Sequence, residues 1–173
     1  LSFIKDKEIS KKLSDDVEEM EKMLNEYLQF ASSRSAETTE TFDLSELLET
    51  TIIKYEKKEI TTDISKEVFL DGRKNLMQRC FSNLIDNAIK YSTNVYISLR
   101  KLNNNILITI DDDGPGIPEN ERENVFKPFY KIDKSRGDSK SSVGLGLSIA
   151  SDTVKSHGGN IKLETSPTNG LRI

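Results

Sequence analysis

Two side-chain amides, Asn83 and Asn87, stand four residues apart in the stretch Asn83–Ser92, and Lys90 and Tyr91 follow them. On a helix turning about 100° per residue, these four side chains fall within about a third of the circumference. Phe81, Leu84, Ile85 and Ala88 point the other way, so one helix buries one side and presents amide, amine and phenol on the other. By itself such a stripe is only a solvated helix face. Two glycine motifs downstream change its meaning. Asp113-Gly114-Pro115-Gly116 closes an apolar-polar alternating segment. Alone it reads as a tight turn, but a carboxylate there can accept the exocyclic amine of adenine, and the glycines let a flat ring approach the backbone. Ser142-Val143-Gly144-Leu145-Gly146-Leu147 opens the last helix. Glycines before a helix start turn backbone amides toward an anion, and the helix dipole favours phosphate there.

Between the glycine motifs lie Phe126, Pro128, Phe129 and Tyr130, then Lys131, Lys134, Arg136 and Lys140. The aromatics alone would read as core. An irregular stretch from Ile117 to Val143 is long enough to act as a lid, however, with its basic cluster meeting phosphate and the phenylalanines hinging it. There is no GxxxxGK[ST] motif, so a triphosphate is not held by a P-loop. The GxG does not directly follow a strand, which removes a dinucleotide-binding reading. His157, the one histidine, precedes Gly158-Gly159 and is expected to cap a helix C-terminus rather than catalyse.

The elements that must position these residues can be read in order. Residues 3–33 lack Gly and Pro, and Leu13, Val17, Met20, Leu24, Tyr27 and Ala31 form an a/d seam. Such a narrow stripe needs a partner: either the domain itself or the other half of a helical hairpin. A polar linker, 34–40, separates this helix from a globular part over 41–173. There, Asp43 caps a helix reaching about residue 57, and short strands follow near 60–64 and 67–70. The amide-bearing helix runs from about Arg73 to Tyr91. A hairpin spans 94–102 and 106–111 around Asn103-Asn104-Asn105, and the last helix begins at Gly144. Strands at 160–165 and 171–173 finish the chain. Helices alternating with a largely antiparallel sheet give a two-layer α/β sandwich.

Composition limits the function. The chain of 173 residues is 35% hydrophobic and 31% charged, which suits one globular domain with a polar appendage. Its net charge of −4 resides in residues 1–40, so the folded part offers no basic field and nucleic acid is not an expected partner. The single cysteine, Cys80, permits no internal disulfide and points to a reducing compartment. No apolar run is long enough to span a membrane. The absence of an initial methionine and the stop within an expected strand lead us to expect a fragment with a truncated C-terminus.

Together these motifs resemble the ATP-binding catalytic domain of sensor histidine kinases of two-component systems. The resemblance rests on an N box (Asn83, Asn87, Ala88, Lys90, Tyr91), a first glycine box (Asp113, Gly114, Gly116), an F box (Phe126, Pro128, Phe129) and a second glycine box (Gly144, Leu145, Gly146, Leu147). It covers about residues 41–173, while residues 1–33 look like the second helix of the dimerisation and histidine-phosphotransfer hairpin. The run Asp111–Pro118 looks like that of the osmosensing EnvZ subgroup.

The resemblance implies the Bergerat fold, a mixed sheet backed by three helices. It further implies that Asn87 ligates Mg²⁺, Asn83 orients that network, Lys90 and Lys131 neutralise phosphates, Tyr91 packs on the nucleotide and Asp113 reads adenine. The implied reaction is γ-phosphoryl transfer from ATP to a histidine on the hairpin, for relay to a response regulator. The implied assembly is a homodimer, the cytoplasmic part of a bacterial inner-membrane protein whose membrane segments lie elsewhere. Two departures stand out: Ser142 where the family's second glycine box usually has glycine, and the lack of a phosphoacceptor box around His157. The related gyrase-like, chaperone-like and mismatch-repair-like ATPases carry a glutamate at the position of Asn83. An amide cannot take a proton from water, which disfavours hydrolysis. A nucleotide-sensing module without productive transfer is the alternative.

Overall fold

The computed structural model describes residues 37–55, 59–132 and 143–173, together with residues 9–28 except 12, 19, 22, 23 and 25–27. Every described residue between 9 and 28 is helical (α1). Its apolar stripe, Ile9, Leu13, Val17, Met20, Leu24 and Leu28, is more than half exposed at each position. The domain therefore does not cover this seam. Tyr27 and Ala31 lie outside the described residues.

The domain begins with strand β1 (Glu40–Asp43), which pairs antiparallel with β3 (Phe69–Gly72). Between them run helix α2 (Leu44–Ile52) and strand β2 (Glu59–Ile64). Asp43 caps α2 as expected: its carboxylate accepts from the amides of Ser45 (2.8 Å) and Glu46 (3.2 Å). The helix is shorter than expected, giving way to a 3₁₀ turn at Ile53–Tyr55, while residue 57 lies outside the described residues. Helix α3 (Lys74–Tyr91) leads into the hairpin β4 (Asn94–Leu102) and β5 (Asn105–Asp112). This turn is tighter than the expected three-asparagine loop. Asn105 already pairs with Leu102, and Asn103 takes the left-handed conformation at φ 53°.

Helix α4 (Gly146–Ser156) starts two residues later than expected. It ends as expected, with Gly158 in the left-handed region and its amide bonded to the Lys155 carbonyl. The last strands are short: β6 (Glu164–Thr165) replaces the expected 160–165, and β7 (Leu171–Arg172) follows a turn.

Five strands form one mixed sheet in the order β2-β4-β5-β7-β6, with β2 and β4 parallel and the remaining pairs antiparallel. The period-2 pattern sorts its faces. Val95, Ile97 and Leu99 of β4 and Ile110 of β5 pack beneath Leu44, Leu47 and Leu48 of α2, and beneath Cys80, Phe81, Leu84, Ile85 and Ala88 of α3. The opposite face carries Ser98 against Thr109 and the pair Arg172–Asp111. Cys80 is a packing residue: burial pushes its thiol up to about 12. The expected two layers are present, with the amide-bearing helix at the centre of one of them.

Candidate nucleotide-binding site

The burial of Phe81, Leu84, Ile85 and Ala88 fixes the roll of α3 and leaves Asn83 and Asn87 part-buried on its other side. Among the described residues neither side-chain amide has a hydrogen-bond partner. Asn83 lies against the start of α4: a methyl group on Gly146 would sit 3.7 Å from its Cβ and 3.8 Å from its amide oxygen. α4 has no side-chain cap at Leu145, and the first amide bonded within the helix is that of Ile149. Its opening turn therefore presents backbone donors beside Asn83, the arrangement that binds anions. Leu145 is buried with Val143 and Ile149, so it anchors this helix start through its side chain and leaves only backbone toward the site. Leu147 is part-buried and packs into the core.

The F box and the second glycine box meet through backbone. The Phe129 amide donates to the Gly144 carbonyl at 2.9 Å. Phe129 takes a left-handed φ of 64° and Gly144 one of 82°. A Cβ on Gly144 would stand 3.0 Å from the Tyr130 carbonyl, which is why glycine is needed. The F box, midway along the expected lid, is thus tied to the residue that follows that lid. Tyr130 donates to Glu121, and that bond raises the phenol's pKa. Lys131 is described and part-buried, whereas Lys134, Arg136, Lys140 and Ser142 lie outside the described residues.

At the far end of α3, the Lys90 ammonium lies over the Tyr91 ring, 5.0 Å from its centroid, and Tyr91 is exposed. Gly114 passes under this corner so closely that a Cβ would be 2.6 Å from the Tyr91 carbonyl. Gly116, at φ 68°, abuts Gly170.

The three consecutive aspartates point three ways. Asp111, opposite Arg172 in the sheet, holds that guanidinium through two bonds of 2.6 Å. Asp113 is engaged by the turn between α3 and β4. Its Oδ1 accepts from the amides of Thr93 (2.9 Å) and Asn94 (3.0 Å), and its Oδ2 accepts from the Asn94 side chain (2.7 Å). These bonds clip the α3–β4 turn to the hairpin and use both oxygens. Asp112 is the carboxylate on the helix side. It pairs with Val95 in register and is buried. Its Oδ1 accepts from Gly114 (2.8 Å) and Leu171 (3.0 Å), while Oδ2 meets no donor among the described residues. Alternation signals this directly, because Ile110 faces the core and Asp112 is two residues on. The supporting turn was not foreseen. Ser166 and Thr168 donate to the Asp112 carbonyl, and a Cβ on Gly170 would stand 2.1 Å from that oxygen.

His157 is held at both nitrogens. Nε2 accepts the Arg73 amide at 2.9 Å, and Nδ1, which then carries the proton, donates to the Thr153 carbonyl at 2.7 Å. It does cap α4, and the same ring is tied to the start of α3. A separate cavity of about 500 Å³ is lined by Arg122, Phe126, Ser151, Lys155, Ile161 and Leu163. Of the motif residues it includes only Phe126.

The family described as histidine kinase-, DNA gyrase B- and HSP90-like ATPase matches residues 72–173. The chain belongs to that family. Its fold is the Bergerat type, and its likeness within the family is to sensor histidine kinases. Sensor histidine kinase CpxA of Escherichia coli is 38% identical over 105 residues, covering 60% of this chain and 23% of CpxA. Sensor histidine kinase GtrS of Pseudomonas aeruginosa is 30% identical over 176 residues, covering 100% of this chain and 36% of GtrS. The solved histidine kinase domain of the E. coli osmosensor EnvZ superposes with a TM-score of 0.60 at 29% identity, over 80% of this chain and 88% of that one. The chain thus spans about a quarter to a third of the two curated relatives. Among the described residues no helix is long and apolar enough to cross a membrane.

The bonds to Asp113 have a pH signature. The Asn94 backbone amide, the Asn94 side chain and the Thr93 amide lower its pKa. With the folded pKa below the unfolded one, the group stabilises the fold above its ordinary pKa of about 3.9, and that contribution is lost as pH falls through the lowered folded value. Asp113→Asn should lower the urea midpoint at neutral pH, and the difference from wild type should shrink as the pH drops below 4 in equilibrium unfolding measurements.

Proposed function

We propose that this chain is the Mg-ATP-binding catalytic portion of a sensor histidine kinase and transfers the γ-phosphoryl group to a histidine on a helical hairpin, for relay to a response-regulator aspartate. The observation that carries this reading is the unpaired amide of Asn83 against the uncapped start of α4. Phosphate is welcome there, and the residue beside it is an amide, which cannot act as a general base to activate water. Phosphoryl transfer asks a protein for positioning and charge neutralisation rather than covalent chemistry, and this site is built of such groups.

Asn87 is the residue that would hold Mg²⁺. A part-buried amide oxygen without a protein partner suits a hard cation that takes few protein ligands. When bound, that ion would supply positive charge to offset the phosphates. Lys90 and Lys131 add positive charge along the phosphates, Tyr91 packs against the nucleotide, and Gly114 and Gly116 let it approach the backbone.

Adenine recognition passes from Asp113 to Asp112. The accessible acceptor is Asp112 Oδ2, whereas Asp113 has spent both oxygens on Thr93 and Asn94. His157 is not the acceptor histidine, because both nitrogens of that ring are already engaged. α1, with its exposed apolar seam, supplies one helix of the hairpin and of a homodimer. A bacterial membrane sensor, with this part in the cytoplasm, is the corresponding cellular setting.

Three outcomes test the reading. Asn87→Ala should abolish Mg²⁺-dependent nucleotide binding by calorimetry, with unchanged affinity counting against the metal assignment. Asp112→Asn should erase the preference for ATP over GTP in competition assays while Asp113→Asn keeps it; the reverse pattern would restore the original assignment. The chain should phosphorylate a separate hairpin carrying an acceptor histidine and acquire no acid-labile label itself. Nucleotide binding without transfer to any such hairpin would favour a sensing module.

A further inference from the structure

The cavity of about 500 Å³ is walled by α4, the 3₁₀ turn Asn124–Phe126 and residues 160–164. Small-molecule sites occupy roughly 300–1,000 Å³, are mainly apolar and carry a few placed polar groups. This cavity has that make-up. Phe126 and Ile161 are part-buried and Leu163 is buried, and together they form its apolar side. Arg122 holds the wall in place. Its guanidinium donates to the carbonyls of Ile117 (3.2 Å) and Leu163 (3.3 Å) and to the Thr165 hydroxyl (3.0 Å).

Ser151 stands on the α4 side of the cavity, and only 2% of it is exposed. A serine inside a helix can return its hydroxyl to a carbonyl one turn back. Ser148 does so with Leu145 and Ser156 with Thr153, each at 2.8 Å. Ser151 does not. Among the described residues its hydroxyl is the buried side-chain polar atom that finds no partner. Buried hydroxyls almost always have one, so an orphan in a cavity wall is a place for a ligand atom. Lys155 follows Ser151 by four residues on the same helix, which sets ammonium and hydroxyl on one face, a turn apart. Lys162 borders the cavity as well, and neither lysine meets a carboxylate within ion-pair distance among the described residues. Glu123 and Glu164 complete the charges, so the lining holds three cations, with Arg122, against two carboxylates.

We infer that this cavity is a second binding site, for a small organic acid. Its apolar body lies against Phe126, Ile161 and Leu163, and its carboxylate takes the Ser151 hydroxyl and the charge of Lys155. The surplus of positive charge favours an anion, and the apolar side rewards a ligand that brings hydrocarbon with it. The nucleotide site shares one motif residue with this cavity, Phe126, and the orphan hydroxyl lies along α4 beyond the opening turn beside Asn83. Occupancy of the cavity therefore does not depend on the function proposed above.

The test is an amide-resolved NMR titration of the whole chain with 4-phenylbutyrate, with uncharged 4-phenylbutyramide and ring-free butyrate as comparators. Binding should saturate with an affinity of about millimolar, which is what roughly a dozen heavy atoms support. The shifts should centre on Ser151, Lys155 and Leu163. The butyramide should bind about threefold to tenfold more weakly, and butyrate should not saturate. Ser151→Ala should weaken 4-phenylbutyrate roughly threefold to tenfold while leaving the urea midpoint at or above wild type, because it removes an unpartnered buried hydroxyl. Lys155→Gln, a change at an exposed position, should weaken it about threefold and reduce its sensitivity to salt. Shifts that do not saturate, shifts confined to the amides around Asn83 and Gly146, or equal binding of the butyramide would overturn the inference. Unchanged affinity in both Ser151→Ala and Lys155→Gln would do the same. Failure of Mg-ATP to bind the wild-type chain would count against the nucleotide reading alone.

Discussion

The packing of α3 on the sheet is the constraint from which the rest follows. Phe81, Ile85 and Ala88 are almost wholly enclosed by Val95, Ile97, Leu99 and Ile110. Truncating side chains so enclosed costs about 2–5 kcal/mol in protein cores. The helix consequently cannot roll, and a helix that cannot roll aims its other face. Asn83 and Asn87 point where they do because the apolar residues between them have no alternative position.

Around that axis the site is assembled from backbone more than from side chains. Gly146 lies beside Asn83, Gly114 beneath the Tyr91 carbonyl, and Gly144 against Phe129 and Tyr130. At Gly114 and Gly144 a Cβ would collide with backbone oxygen, so these residues set how closely segments approach. Among the described residues, groups without partners stand on three elements: the amides of α3, the opening turn of α4 beside Asn83, and one oxygen of Asp112. Unpaired polar groups are costly in a folded protein, and these are the groups on which the proposed nucleotide site rests.

Much of this was legible in the sequence because it depends on local period. The 3.6-residue pattern of α3, the alternation of β4 and β5, the Asp43 cap and the Gly158 terminus are local matters, and each stands close to its expected place. Elements whose existence depends on distant partners fared worse. Residues 160–163 have strand-like composition, yet strand pairing begins only at Glu164, opposite Arg172. The helix expected from Gly144 waits for Gly146, because Gly144 is occupied in binding Phe129.

The three aspartates show where the division falls. The sequence by itself determined the order of the amide, glycine and aromatic motifs in which the resemblance to a nucleotide-binding domain lies. Strand alternation would have put Asp111 and Asp113 on one face, but β5 ends at Asp112 and Asp113 turns to Thr93 and Asn94 instead. Only the tertiary structure decided which carboxylate is available. Asp111 is taken by Arg172, Asp113 by Thr93 and Asn94, and Asp112 keeps one oxygen clear. The same holds for Glu37, whose carboxylate accepts the Asn75 and Leu76 amides, 38 and 39 residues away. Hydrogen-bond capacity is limited, and distant residues compete for it only after the chain has folded.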